Sequence, residues 1–130
     1  MTRYALPCAL ALVVSPTLAA PPVAAVAYHP NGKLIAAGTQ DVVRLFDAAG
    51  TPTGKIAGQI GRVTALAFAS SGDWLAIATG EAGKSGVVRV YATTATDKPV
   101  ATIDAHKDAV YAVAFSPDGK KLATAGYDRV

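Results

Sequence analysis

Among the side chains that could do chemistry, His106 and Asp128 form the pair that most resembles a catalytic constellation. An imidazole oriented by a carboxylate is the base of a hydrolytic triad, and it needs a hydroxyl or thiol nucleophile to act on. The only cysteine, Cys8, lies near the start of the chain, and the only other histidine, His29, is far from His106 in sequence. A zinc site therefore has nothing to assemble from. No Cys-x-x-Cys-His haem attachment is present, and no glycine-rich phosphate loop stands at a strand-to-helix junction. The lysines and arginines are spread out and interleaved with acids, as on a solvated surface, so no nucleic-acid stripe is expected. No cofactor is predicted.

What surrounds the pair is more informative. Val110–Asp128, VYAVAFSPDGKKLATAGYD, reads as a strand, a tight turn, a returning strand and the start of another turn. Pro117 presets φ, Asp118 can bond its own backbone, and Gly119 accepts positive φ. The same cassette occurs twice upstream, so the three copies begin at Val23, Val63 and Val110. An aromatic recurs at a fixed offset (Tyr28, Phe68, Phe115), then the turn glycine (Gly32, Gly72, Gly119), then an aliphatic anchor (Ile35, Leu75, Leu122). Copies 40 and then 47 residues apart have the spacing of four-stranded propeller blades.

Turns this short join antiparallel strands. The first strands, Val23–Tyr28, Val63–Phe68 and Val110–Phe115, are mostly apolar on both faces, which predicts sheets sandwiched between other sheets. Ala25, Ala27, Ala65, Ala67, Ala112 and Ala114 are small enough to let those sheets approach closely.

These residues resemble the WD40 repeat family. Its pattern of a Gly-His pair, a Ser-Pro-Asp-Gly turn, a Leu-Ala-Thr-Gly strand, an Asp turn and a strand ending Trp-Asp is closest in the third copy. There it is matched by His106, Ser116-Pro117-Asp118-Gly119, Leu122-Ala123-Thr124 and Asp128. The first copy matches in Asp41 and Val43–Asp47, the second in Gly58-Gln59, Leu75-Ala76 and Val87–Tyr91. The resemblance implies an all-β fold, a partial WD40-type β-propeller of about two and a half four-stranded antiparallel blades. It also implies that His106, Thr124 and Asp128 form a buried structural hydrogen-bond network, and that the protein is a non-enzymatic scaffold for a protein partner. Gln59 stands in place of the second copy's histidine, and Phe46 and Tyr91 replace the tryptophan.

Ahead of the repeats, residues 1–19 carry an early Arg3, an apolar run and Thr17-Leu18-Ala19, the plan of a signal peptide cleaved after Ala19. Pro7 and Pro16 interrupt the helix that a retained anchor would need, so no stable membrane span is expected after cleavage. The repeat region, residues 20–130, is then exported to the periplasm or the extracellular space without a cysteine. Within the second copy, Glu81–Gly86 is an inserted polar hairpin tip, and Glu81, Lys84 and Ser85 are its candidate partner contacts. The third copy stops at Val130, short of two strands. So few blades cannot close a ring of four to eight. The expectation is a fragment or self-association that completes a propeller. A rival reading makes the chain the opening of a larger exported enzyme or c-type cytochrome-linked protein.

Overall fold

The computed structural model describes residues 21–130. The expected signal peptide, with Cys8 and its cleavage point, lies outside the described residues. Ten strands follow one another: β1 (Ala25–Tyr28), β2 (Leu34–Gly38), β3 (Val43–Asp47), β4 (Pro52–Ile56), β5 (Arg62–Phe68), β6 (Trp74–Glu81), β7 (Ser85–Ala92), β8 (Ala101–His106), β9 (Val110–Phe115) and β10 (Leu122–Gly126). They form two four-stranded meanders, β1-β2-β3-β4 and β5-β6-β7-β8, and the hairpin β9-β10, with every pairing antiparallel. The fold is all-β, as its repeated hairpins predict.

The three cassettes match bond for bond at their turns. The N–H of Gly32, Gly72 and Gly119 donates to the carbonyl of His29, Ala69 and Ser116 respectively, each at 2.8 Å. Each of these glycines has φ between 72° and 82°, a conformation that costs an L side chain energy and a glycine little. Adjacent turns are also tied together. The imidazole of His29 donates through Nε2 to the Gly72 carbonyl at 3.0 Å, and the Ser70 hydroxyl donates to the Pro117 carbonyl at 2.6 Å.

Strand register gives each sheet one small side and one large side. Ala25 pairs with Gly38 and Ala27 with Ala36; Ala65 pairs with Ala78 and Ala67 with Ala76; Ala112 pairs with Ala125 and Ala114 with Ala123. Because side chains alternate across a strand, the residues between these lie on the opposite face. There the second sheet carries Leu66, Phe68, Leu75 and Ile77, which join Ala36, Val43 and Ala25 of the first sheet in one core. The third hairpin turns Val113, Phe115 and Leu122 onto Ala65, Ala76, Ala78 and Val88 of the second sheet. Burying a side chain such as Leu75 or Ile77 contributes about 2 kcal/mol each.

Large-on-small packing also explains Gly38. A Cβ there would overlap the Val63 side chain of the next sheet, so Val63 packs directly onto the Gly38 backbone.

Two expectations need correction. Among the described residues only the second sheet is covered on both faces; Val26 and Tyr28 on the first sheet and the four alanines of the third hairpin are exposed. The insertion Glu81–Gly86 is half strand, since Gly80 pairs with Gly86 and Glu81 with Ser85, leaving residues 82–84 as the tip.

Candidate functional site

The outer strand of the second sheet ends at His106, which pairs with Gly86 on β7. Thr124 lies in β10 and Asp128 in the turn that follows it. The structure brings the three together. Nδ1 of His106 is 2.7 Å from Oδ1 of Asp128, and Nε2 is 3.0 Å from the Thr124 hydroxyl. A carboxylate only accepts, so Nδ1 carries the proton and donates to Asp128, while Nε2 accepts from Thr124. The backbone N–H of Lys107 donates to the second oxygen, Oδ2, at 2.7 Å, and that of Val130 donates to Oδ1 at 3.3 Å.

These donors hold the Asp128 carboxyl below the usual carboxylate range. The Lys107 N–H is the largest cause; partial desolvation opposes it, and the His106 bond, the Val130 N–H and the electrostatic attraction of the imidazole add to it.

Thr124, His106 and Asp128 are ordered like a nucleophile, base and acid. The surroundings, however, turn these groups on one another. The His106 side chain is only 2% exposed. Thr124 sits in mid-strand, flanked in β10 by alanines whose side chains face the other way. A nucleophilic hydroxyl must reach an electrophile beside oxyanion donors. This one is spent on an imidazole between two sheets. Gly126 reinforces the enclosure, because a Cβ there would lie 2.8 Å from the His106 ring.

The equivalent place one blade earlier is built differently. Gln59 is buried, and its amide donates to the Tyr91 hydroxyl at 3.0 Å and to the Ala57 carbonyl at 3.4 Å. Arg89 donates to the Gly58 carbonyl at 3.3 Å and to Oε1 of Gln59 at 3.4 Å. The two substitutions away from the family pattern, histidine to Gln59 and tryptophan to Tyr91, thus form a hydrogen-bonded pair.

The inserted hairpin is the second candidate. Its tip is fastened at Gly83, whose N–H donates to Oδ1 of Asp108 at 2.8 Å. That same oxygen accepts from Ala109 N–H at 2.7 Å. Glu81 and Lys84 form an exposed ion pair at 3.3 Å, and Ser85 is the first residue of β7. Such a surface pair adds little stability.

Beside the tip lies a groove of about 360 Å³ lined by Arg62, Thr64, Gly80, Ala82 and Tyr111, with Ala24 and Ala109 completing it. It lies where β1, β5 and β9 begin. Tyr111 stands edge-on to Tyr127, with ring centroids 4.3 Å apart and planes at 77°. Desolvation first, then Tyr127 and Asp108, raise the Tyr111 phenol above its ordinary pKa. Sequence reasoning missed Arg62 and Tyr111. Their signal was available, since they flank the first valine of the second and third copies, where an alternating strand must point away from the core.

Among the described residues no cluster of three or more His, Cys, Asp or Glu could hold a metal ion, and no helix is long and apolar enough to cross a membrane.

Antiparallel meanders stacked face to face, each entered through a short loop that bonds across to its neighbour, define a repeat protein of blade type. Three consecutive segments, residues 14–47, 50–92 and 97–130, match the family described as WD domain, G-beta repeat, and the chain belongs to that family. It is also similar to WD repeat-containing protein 1 of Bos taurus, with 34% identity over 107 residues and 79% of this chain aligned. The chain spans 17% of the length of that relative.

Proposed function

We propose that this chain is a non-catalytic protein-binding module whose contact surface is the tethered tip at residues 82–84 together with the groove beside it. The observation that carries the reading is the bond from Gly83 N–H to Asp108, which fixes a polar tip against the next blade. The tip thereby becomes part of a rigid wall instead of a mobile loop, and less conformational entropy is lost on binding. Membership of a repeat family known for interaction surfaces supports the same reading. Arg62 and Tyr111 supply the cation and the aromatic edge that interfaces favour, and Glu81, Lys84 and Ser85 form the polar border. The partner is a protein segment. The reading involves no cofactor or nucleic acid.

Selection of a displayed random-peptide library on the immobilised chain tests this. Enriched peptides should compete with one another and be lost with the double variant Arg62→Ala/Tyr111→Ala at unchanged melting temperature. No enrichment, or peptides indifferent to the double variant, would overturn the proposal.

A second reading concerns context. The 17% share of the bovine relative supports blades that belong to a longer protein. We propose that this protein is exported, on the strength of the segment 1–19, and an appended enzyme or c-type haem domain remains its alternative form. Amino-terminal sequencing of secreted material should begin at Ala20; an intact Met1 would reject export by cleavage.

A further inference from the structure

We propose that Asn31 is a self-modifying residue. The Gly32 nitrogen attacks its side chain, and the products are aspartate, which this turn accepts, and isoaspartate, which unlatches the first sheet from the second. Asn31 is the only asparagine of the chain, and glycine follows it. Both residues are exposed, and the place where a side chain on Gly32 would stand is open space. With no Cβ of its own, Gly32 leaves its nitrogen open to the preceding side chain.

The turn holds the reacting groups together. Asn31 Oδ1 accepts from the Lys33 N–H at 2.8 Å. That bond closes the side chain over the Gly32 peptide, which lies between the two residues, and draws electron density away from Cγ. The Gly32 N–H itself donates to the His29 carbonyl at 2.8 Å, so attack waits for that exposed bond to open. Solvent base then takes the proton of the nitrogen, the nitrogen bonds to Cγ, and the side-chain amide leaves as ammonia, its extra proton coming from water. The five-membered imide left behind has two carbonyls. Water opens it at Cγ to give aspartate, or at the main-chain carbonyl to give isoaspartate. The net change is one water taken up and one ammonia released, with no redox step.

The third copy displays the outcome of the first product. Asp118 stands at the matching place, its Oδ1 accepts from the Lys120 N–H at 3.0 Å, and the Gly119 N–H reaches the Ser116 carbonyl at 2.8 Å. An aspartate at 31 finds the same donor in Lys33. Isoaspartate routes the main chain through Cγ and puts one more methylene between the His29 carbonyl and the Gly32 N–H, so the turn no longer closes at the same length. His29 depends on that turn. Its Nδ1 accepts from the Asn31 N–H at 3.2 Å, Nε2 donates to the Gly72 carbonyl at 3.0 Å, and the ring meets Phe68 edge-on with centroids 5.2 Å apart. This latch joins the turns of two sheets. It lies at the opposite end of β1 from the groove at Arg62, and its failure would leave the protein-binding proposal standing.

The test holds the full chain at mildly alkaline pH for as long as a free peptide of residues 28–34 takes to lose half its amide. Peptide mapping by mass spectrometry should find aspartate and isoaspartate at position 31, with Gln40 and Gln59 intact. Asn31→Ser, which installs the residue type that Ser71 provides in the second copy, should give neither product. Asn31→Asp should melt with the fresh wild type. Fractions enriched in isoaspartate should melt about 4 °C lower, the shift expected for one lost hydrogen bond in a domain of this size. An amide retained throughout at Asn31 would overturn the proposal. Aspartate as the sole product, or isoaspartate chains that melt with Asn31→Asp, would overturn the unlatching.

Discussion

His106 and Asp128 meet at 2.7 Å from different sheets: the imidazole ends the outer strand of the second, and the carboxylate turns the corner after the third hairpin. The contact is therefore a joint between blades. Its chemistry sets how firmly the third hairpin is held.

Acid should loosen that joint. A carboxyl whose folded pKa is depressed contributes stability that is present above its unfolded value of about 4 and is lost as pH falls through the lower folded value. Asp128 is such a group, held down first by the Lys107 N–H. Asp118 is another, held down first by the Ser116 hydroxyl and next by the Lys120 N–H. Asp128→Asn should lower the melting temperature at pH 7 and flatten its fall below pH 4, while Asp118→Asn preserves the part of that fall due to Asp128. Melting curves at one-unit pH steps check this; an unchanged acid limb in Asp128→Asn would contradict it.

Removing only the hydroxyl isolates the other half of the joint. Thr124→Val keeps shape and leaves Nε2 of the buried His106 side chain without its donor. The cost should be about 1–2 kcal/mol, measured by urea unfolding, and Thr124→Ser should recover most of it.

Tyr91→Phe asks the matching question one blade earlier. The Gln59 amide nitrogen would be left with only the longer bond to Ala57. Stability should fall by about 1 kcal/mol. The change recreates what the first sheet already has at Phe46.

Gly38→Ala should separate the first two sheets, because the new methyl collides with Val63. Overpacking of this kind costs about 1–3 kcal/mol. Val63→Ala alone opens a cavity, but in the double variant it should restore part of the loss. A double-mutant cycle reads that coupling directly.

Much of this fold is legible in the chain because the repeat writes it three times. The positions of Gly32, Gly72 and Gly119 fix the turns, and the alanines beside Phe68 and Phe115 foretell the close approach of sheets. Strand ends were harder. Glu81–Gly86 looks like a loop because glycine and charge dominate it, yet cross-strand pairing carries the ladder out to Glu81 and Ser85. That His106 sits on the preceding sheet is likewise invisible locally, since sequence order places it with the hairpin that it braces. The pairing of Gln59 with Tyr91 spans 32 residues, and no short-range pattern encodes it. Arg62 and Tyr111 share a groove only because β5 and β9 begin side by side.

The place of His106 also orders events in time. Domains form from the amino terminus as the chain emerges during synthesis. The last strand of the second sheet is made before any residue of β9 or β10, so His106 precedes Thr124 and Asp128 in synthesis. The second sheet therefore carries, in His106, a point of attachment for the hairpin that follows it.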